Sequence, residues 1–357
     1  MHRTLIAGLI AAGPAALAPA QDAFDTIAFG SCAREREPQP IWTEIIAQQP
    51  DLFLFIGDNH YADLWMKDGR MVMEPVESVA RIEQAYDELG AQPGYRRMQR
   101  TCPILATWDD HDYGANDAGA DFPLKEESQE AYLDFFGFRE NSPIRDQAGI
   151  YYSRVFAGPS GEVVRIIMLD TRFHRDALET GPRSDWGGGR YLPTDDASKT
   201  ILGERQWRWL AEQLLEPADV RIIASSIQVV ADEHRYETWG NFPHERRRLY
   251  ELIDETNASG VLIVSGDRHL MEISRDTERG APYPIWDFTS SGLTQRPSPV
   301  DEPNPHRVGP VKRETNFGVI RFDWADPTED TAIHLEGYGD RGQLLTRQTV
   351  WLGDLRE

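Results

Sequence analysis

The chain has 357 residues, enough for a large core and, by length alone, for one or two domains. Its 37 basic and 59 acidic residues leave a formal charge of −22, which argues against a nucleic-acid-binding surface and against an anionic membrane as partner. The same charge makes an anionic substrate awkward unless bound cations reverse the sign locally.

In chain order, residues 1–20, "MHRTLIAGLIAAGPAALAPA", carry one Arg, a short apolar stretch broken by Gly13 and Pro14, and Ala18-Pro19-Ala20 as a small-x-small cleavage pattern. They read as a secretory signal peptide, so a periplasmic or secreted protein is expected, with residues 21–357 as the mature chain. No later segment approaches the ~20 apolar residues that a transmembrane helix needs. The apolar runs 26–32, 52–58, 104–110, 150–156, 163–170, 220–230 and 260–267 read as strands. Amphipathic stretches at 40–49, 76–90, 124–137, 203–215 and 244–257 read as helices between them. Such alternation predicts a layered α/β fold. After Asp276 the pattern turns to strands alone, which would complete a second sheet. Residues 180–196 and the proline-rich 292–315 read as long loops.

Five strand candidates end in polar residues: Cys32, Asp58, Asp109-Asp110-His111, Gln228 and Asp267-Arg268-His269. Carboxyl ends of strands are where open α/β sheets bind ligands. Carboxylates at that density repel one another, so either some are protonated or cations sit among them. Cys32 and Cys102 leave two readings, a metal ligand at Cys32 or a single disulfide of an exported protein.

The segments "FGSC" (29–32), "GDNHYAD" (57–63), "WDDHDYGAND" (108–117), "LDTRFHR" (169–175) and "SGDRHLMEI" (265–273) occur in an order that resembles the calcineurin-like metallophosphatase superfamily and, within it, the PhoD-type alkaline phosphatases. The resemblance implies a four-layer α/β/β/α sandwich with two stacked mixed sheets, forming a single catalytic domain over residues 21–357. It also implies an exported hydrolase of phosphate mono- or diesters in which a metal-bound hydroxide attacks phosphorus.

The implied site assigns Asp58 as a bridge between two metals, with Cys32, Tyr61 and His269 completing a site for Fe(III). A phenolate, ordinarily of pKa about 10, requires so strong a Lewis acid. Asp58, Asp110 and Asp267 would form an oxygen site for calcium, with magnesium or manganese as alternatives. Asp109 competes with Asp110 for that role, and Gln228 and Asn116 are neutral oxygen donors. His111 would act as general acid and Arg172, with Arg175 and Arg34 behind it, would bind phosphate oxygens. Trp186 is a candidate substrate wall. Two rival readings stay open: a phosphodiesterase or phospholipase D-like enzyme on lipid or teichoic-acid-like polymers, and an acidic calcium-binding structural protein without turnover.

Overall fold

The computed structural model describes residues 24–185, 188–277, 280–294 and 302–356. The expected signal peptide and Trp186 lie outside the described residues.

The apolar runs become short strands, fully buried at Thr26–Gly30, Leu52–Ile56, Val220–Ser225 and Val261–Ser265. Thr26–Gly30, Leu52–Ile56 and Ile104–Thr107 lie parallel in one sheet, which Asn316–Asp323, Ala332–Gly339 and Leu344–Trp351 extend in antiparallel fashion. In the second sheet Val163–Met168, Val220–Ser225, Val261–Ser265 and Ile285–Ser290 are parallel, flanked by Tyr152–Ala157 on one side and by Met271–Asp276 and Arg307–Lys312 on the other.

The expectation that the β-rich tail completes a second sheet holds only in part: the tail divides, and its last three strands join the first sheet. The proline-rich loop also contains an unexpected strand, Arg307–Lys312. It sits at the sheet edge, where Pro310 costs no ladder hydrogen bond on its open side.

The sheets stack face to face. Phe29 of the first meets Phe288 of the second edge-on, with ring centroids 5.0 Å apart. On the outer face of the first sheet, Trp42 of the helix Ile41–Ala47 packs on Phe53 and Phe55. The helices Val79–Ala91, Pro93–Met98 and Lys125–Phe135 also belong to this side. Gly203–Leu215 and Pro243–Glu255 form the fourth layer, and each presents an apolar stripe (Trp207, Leu210, Leu214; Leu249, Tyr250, Ile253) to one continuous core. Among the described residues no helix is long and apolar enough to cross a membrane.

This layering has a functional consequence. Parallel strands in both sheets bring Cys32, Asp58, Asp109, Asp110, Arg172, Gln228, Asp267 and His269 to strand ends or to the segments just after them.

Candidate active site

Four sequence-predicted ligands converge within hydrogen-bond distance. The Cys32 Sγ lies 3.2 Å from Asp58 Oδ2, and the Tyr61 hydroxyl donates to the same oxygen at 3.0 Å. Tyr61 Oη is also 3.3 Å from His269 Nε2. Both cysteines are free thiols, so the disulfide reading does not hold.

The backbone here is unusual. Cys32, Asp58, Asp267 and His269 all have φ between 48° and 66°, a left-handed conformation that costs a non-glycine residue energy and clusters at functional sites. Each follows a strand end that must turn sharply to aim its side chain into the site. Gly57, at φ 98°, permits one of these turns: a Cβ there would stand 2.6 Å from Asp109 Cβ.

Burial sets the protonation of this group. It pushes the Cys32 thiol, the Asp58 carboxyl and the Tyr61 phenol well above their ordinary ranges, and like charges nearby reinforce each rise. Burial also holds His269 down at about 3, so its ring is neutral and able to ligate. Thiol, phenol, imidazole and a shared carboxylate form a donor set suited to a strongly acidic transition metal. The residues present therefore fit a metal at this position.

Asp58 faces a second group as well: its carboxylate, that of Asp110 and the His111 ring offer ligand atoms within 4.8 Å of one another. Asp110, His111, Asn116, Asp267 and His269 line one cavity of about 310 Å³. Although burial opposes it, the charges of His111 and Arg172 and the Asp117 amide hold Asp110 below the usual carboxylate range, ionised and ready for a hard cation.

His111 is anchored by Asp63, whose two oxygens lie 2.8 and 2.9 Å from Nδ1, leaving Nε2 as the working nitrogen. Burial works against a charged ring, yet Asp110, Asp58 and Asp63 raise its pKa well above the ordinary value.

Asp109, Arg172 and Gln228 are placed behind the cavity and do not line it. Arg172 has no exposure and donates to Asp109 Oδ1 and to Glu237 at 2.6 Å each. Its guanidinium is thus spent on buried carboxylates. The Gln228 side-chain amide donates to Glu272 and Thr289, and its Oε1 is buried without a partner. Arg175 pairs with Glu237 at 2.8 Å, and Arg34 pairs with Glu37 with its guanidinium 5.7 Å from the Tyr61 ring centre.

The guanidinium that does line the cavity belongs to Arg268, stacked 3.8 Å from the Tyr236 ring and bonded to Glu302 at 2.5 Å. Sequence reasoning assigned no role to Arg268, Asp63 or Glu237. Asp63 and Arg268 lie inside quoted motifs, where a charge beside a proposed ligand was the available signal. Glu237 carries none, because its partners are distant in the chain.

A family model described as PhoD-like phosphatase matches residues 27–320. The chain belongs to that family. Alkaline phosphatase D of Bacillus subtilis (strain 168) is 22% identical over 278 residues, covering 68% of this chain and 46% of that protein. This chain thus spans about half the length of that relative. A solved structure of PhoD superposes with a TM-score of 0.64 at 18% identity, covering 94% of this chain and 74% of that one. A purple acid phosphatase from yellow lupin (Lupinus luteus) seeds gives 0.60 at 13% identity, covering 93% and 54%. These likenesses establish the metallophosphatase sandwich.

Proposed function

We propose that the chain is an exported, metal-dependent phosphoesterase acting on phosphate monoesters, diesters or both. The observation that carries this reading is the convergence of Cys32, Asp58, Tyr61 and His269 beside a cavity lined by Asp110, His111 and Asp267. Cys32, Asp58, Tyr61 and His269 would hold Fe(III), and Asp58, Asp110 and Asp267, with Asn116 at the rim, would hold calcium, or magnesium or manganese in its place. Bound cations would supply Lewis acidity toward the phosphate and lower the pKa of a water.

The chain's own residues do the rest. Arg268 lines the cavity, and its planar donor set would bind phosphate oxygens by exchanging its pairings with Glu302 and Asp267. His111, whose pKa Asp110, Asp58 and Asp63 raise and whose ring Asp63 holds in one orientation, delivers a proton from Nε2 to the departing alkoxide. Arg172 is a positioning residue: its ion pairs fix Asp109, next in sequence to Asp110, and Glu237 in the cavity wall. The free, clustered Cys32 favours this reading over a calcium-binding protein without turnover, which needs no thiol and no anchored histidine.

The test is elemental analysis of purified protein joined to hydrolysis of a chromogenic phosphate mono- and diester before and after chelation. Iron near one equivalent, a visible absorption band that Tyr61→Phe shifts and Cys102→Ser leaves alone, and chelator-sensitive turnover are expected. Full turnover at zero metal content would overturn the mechanism. An amino terminus beginning at Gln21 in exported protein would support the secretory route.

A further inference from the structure

Immediately after Tyr61 and Asp63 the chain leaves the site as a two-stranded hairpin, Leu64–Lys67 paired with Arg70–Met73. Its base is tied to the site by the Leu64 amide donating to the Tyr61 carbonyl at 3.2 Å and the Glu74 amide donating to the Asp63 carbonyl at 2.9 Å. Cross-strand partners share a face, so the register Leu64↔Met73 and Met66↔Met71 puts these four side chains on one side. Trp65 and Val72, followed by the charges Lys67 and Arg70 at the tip, lie on the other. Met66, Met71 and Met73 are 59, 56 and 47% exposed. Met73 lines the cavity that also holds Asp110, His111, Asp267, Arg268 and His269.

An apolar strip therefore begins at the reacting groups and runs outward along the hairpin for about 10 Å, the length of its short strands. Methionine is unbranched and adaptable, suited to ligands without a fixed shape. We infer that this face receives an unbranched alkyl group esterified to the phosphate, making the hairpin a specificity element for amphiphilic phosphate esters. The inference rests on the phosphoesterase reading and adds the class of substrate. Continuity with the cavity selects this occupant: a chain attached to a phosphate held by Arg268 has Met73 in the cavity wall and Met71 and Met66 beyond it. The face carries no charge to recruit a polar partner.

The test is a series of primary alkyl phosphates from methyl to octyl, assayed below their micelle concentrations with the metal-loaded enzyme. In the unmodified protein kcat/KM is expected to rise about twofold per methylene, as for one-sided burial, and to do so through KM. Met66→Ser with Met71→Ser should flatten the slope, and Met66→Leu with Met71→Leu should restore it. Both positions are exposed, so the pair leaves the core untouched.

A flat series in the unmodified protein, an unchanged slope in the serine pair, or a rise only above the micelle concentration would overturn the inference. So would a dimer that the serine pair dissociates, which would give the strip to a second copy of the chain. Hydrolysis of methyl and octyl phosphate at equal rates defeats the hairpin assignment alone, whereas hydrolysis of neither these monoesters nor the matching methyl alkyl phosphate diesters defeats the phosphoesterase reading with it.

Discussion

At His111 two demands meet, since a general acid must be charged and yet sit in a site that excludes water. Burial alone would leave the ring neutral, and Asp110, Asp58 and Asp63 reverse that. His111→Asn should therefore lower kcat by about 10²–10⁴ while metal content stays near that of the unmodified protein. Equal loss of metal and activity would instead make His111 a ligand. Asp63→Asn is a finer probe. Removing a carboxylate that raises the ring's pKa lets the proton leave at lower pH, so the alkaline limb of the kcat profile should move toward acid. A cation among the carboxylates opposes the same rise, so the profile must be compared at equal metal content. An unmoved limb would show that Asp63 only packs the ring. For Arg268→Lys the expected loss is in KM, because an ammonium cannot reproduce the planar donor pair.

At the level of elements, the site depends on abrupt exits from strands. Gly57 is the clearest case, with positive φ and no room for a methyl group beside Asp109 and Ser226. Gly57→Ala should shift Asp58, reduce bound metal and cost about 2 kcal/mol or more of stability, read by elemental analysis and thermal melting. Retention of both would mean that the turn adapts.

The strands themselves were legible because runs such as "LFLFI" and "VLIVS" allow little else, and their polar ends pointed to Cys32, Asp58, Asp110, Asp267 and His269. The burial of Arg172 was not legible, since it arises from Asp109 and Glu237, which only the fold brings together. Nor does strand pattern say which sheet a strand joins, so the division of the tail stayed hidden. The hairpin at 64–73 escaped notice for a related reason: its apolar face is exposed, against the rule by which apolar residues reveal a core.

Over the whole molecule, acidic excess and buried acids make stability depend on pH in a sense opposite to ordinary surface carboxylates. Burial pushes Asp287 up to about 6, although the Ser265 hydroxyl and the Val229 and Val230 amides pull it down. Burial likewise lifts Asp117 to about 6 and Asp109 to about 7, the latter against the pull of Arg172. A carboxyl with a folded pKa above its unfolded value binds more protons when folded. Its contribution is full below the unfolded value near 3.9 and disappears as pH rises through the folded one. The metal-free protein should thus lose stability between about pH 4 and 7, while the formal charge of −22 adds self-repulsion in the same direction. Asp287→Asn isolates one contribution, because the amide oxygen can still accept from Val229 and Val230 while its NH₂ meets the Ser265 hydroxyl. That variant should melt higher than the unmodified protein at pH 8, by up to about 3 kcal/mol, and show little difference at pH 4. Equal melting gaps at both pH values would mean that Asp287 does not titrate in this window, and the pH dependence would then belong to the carboxylates around the cavity.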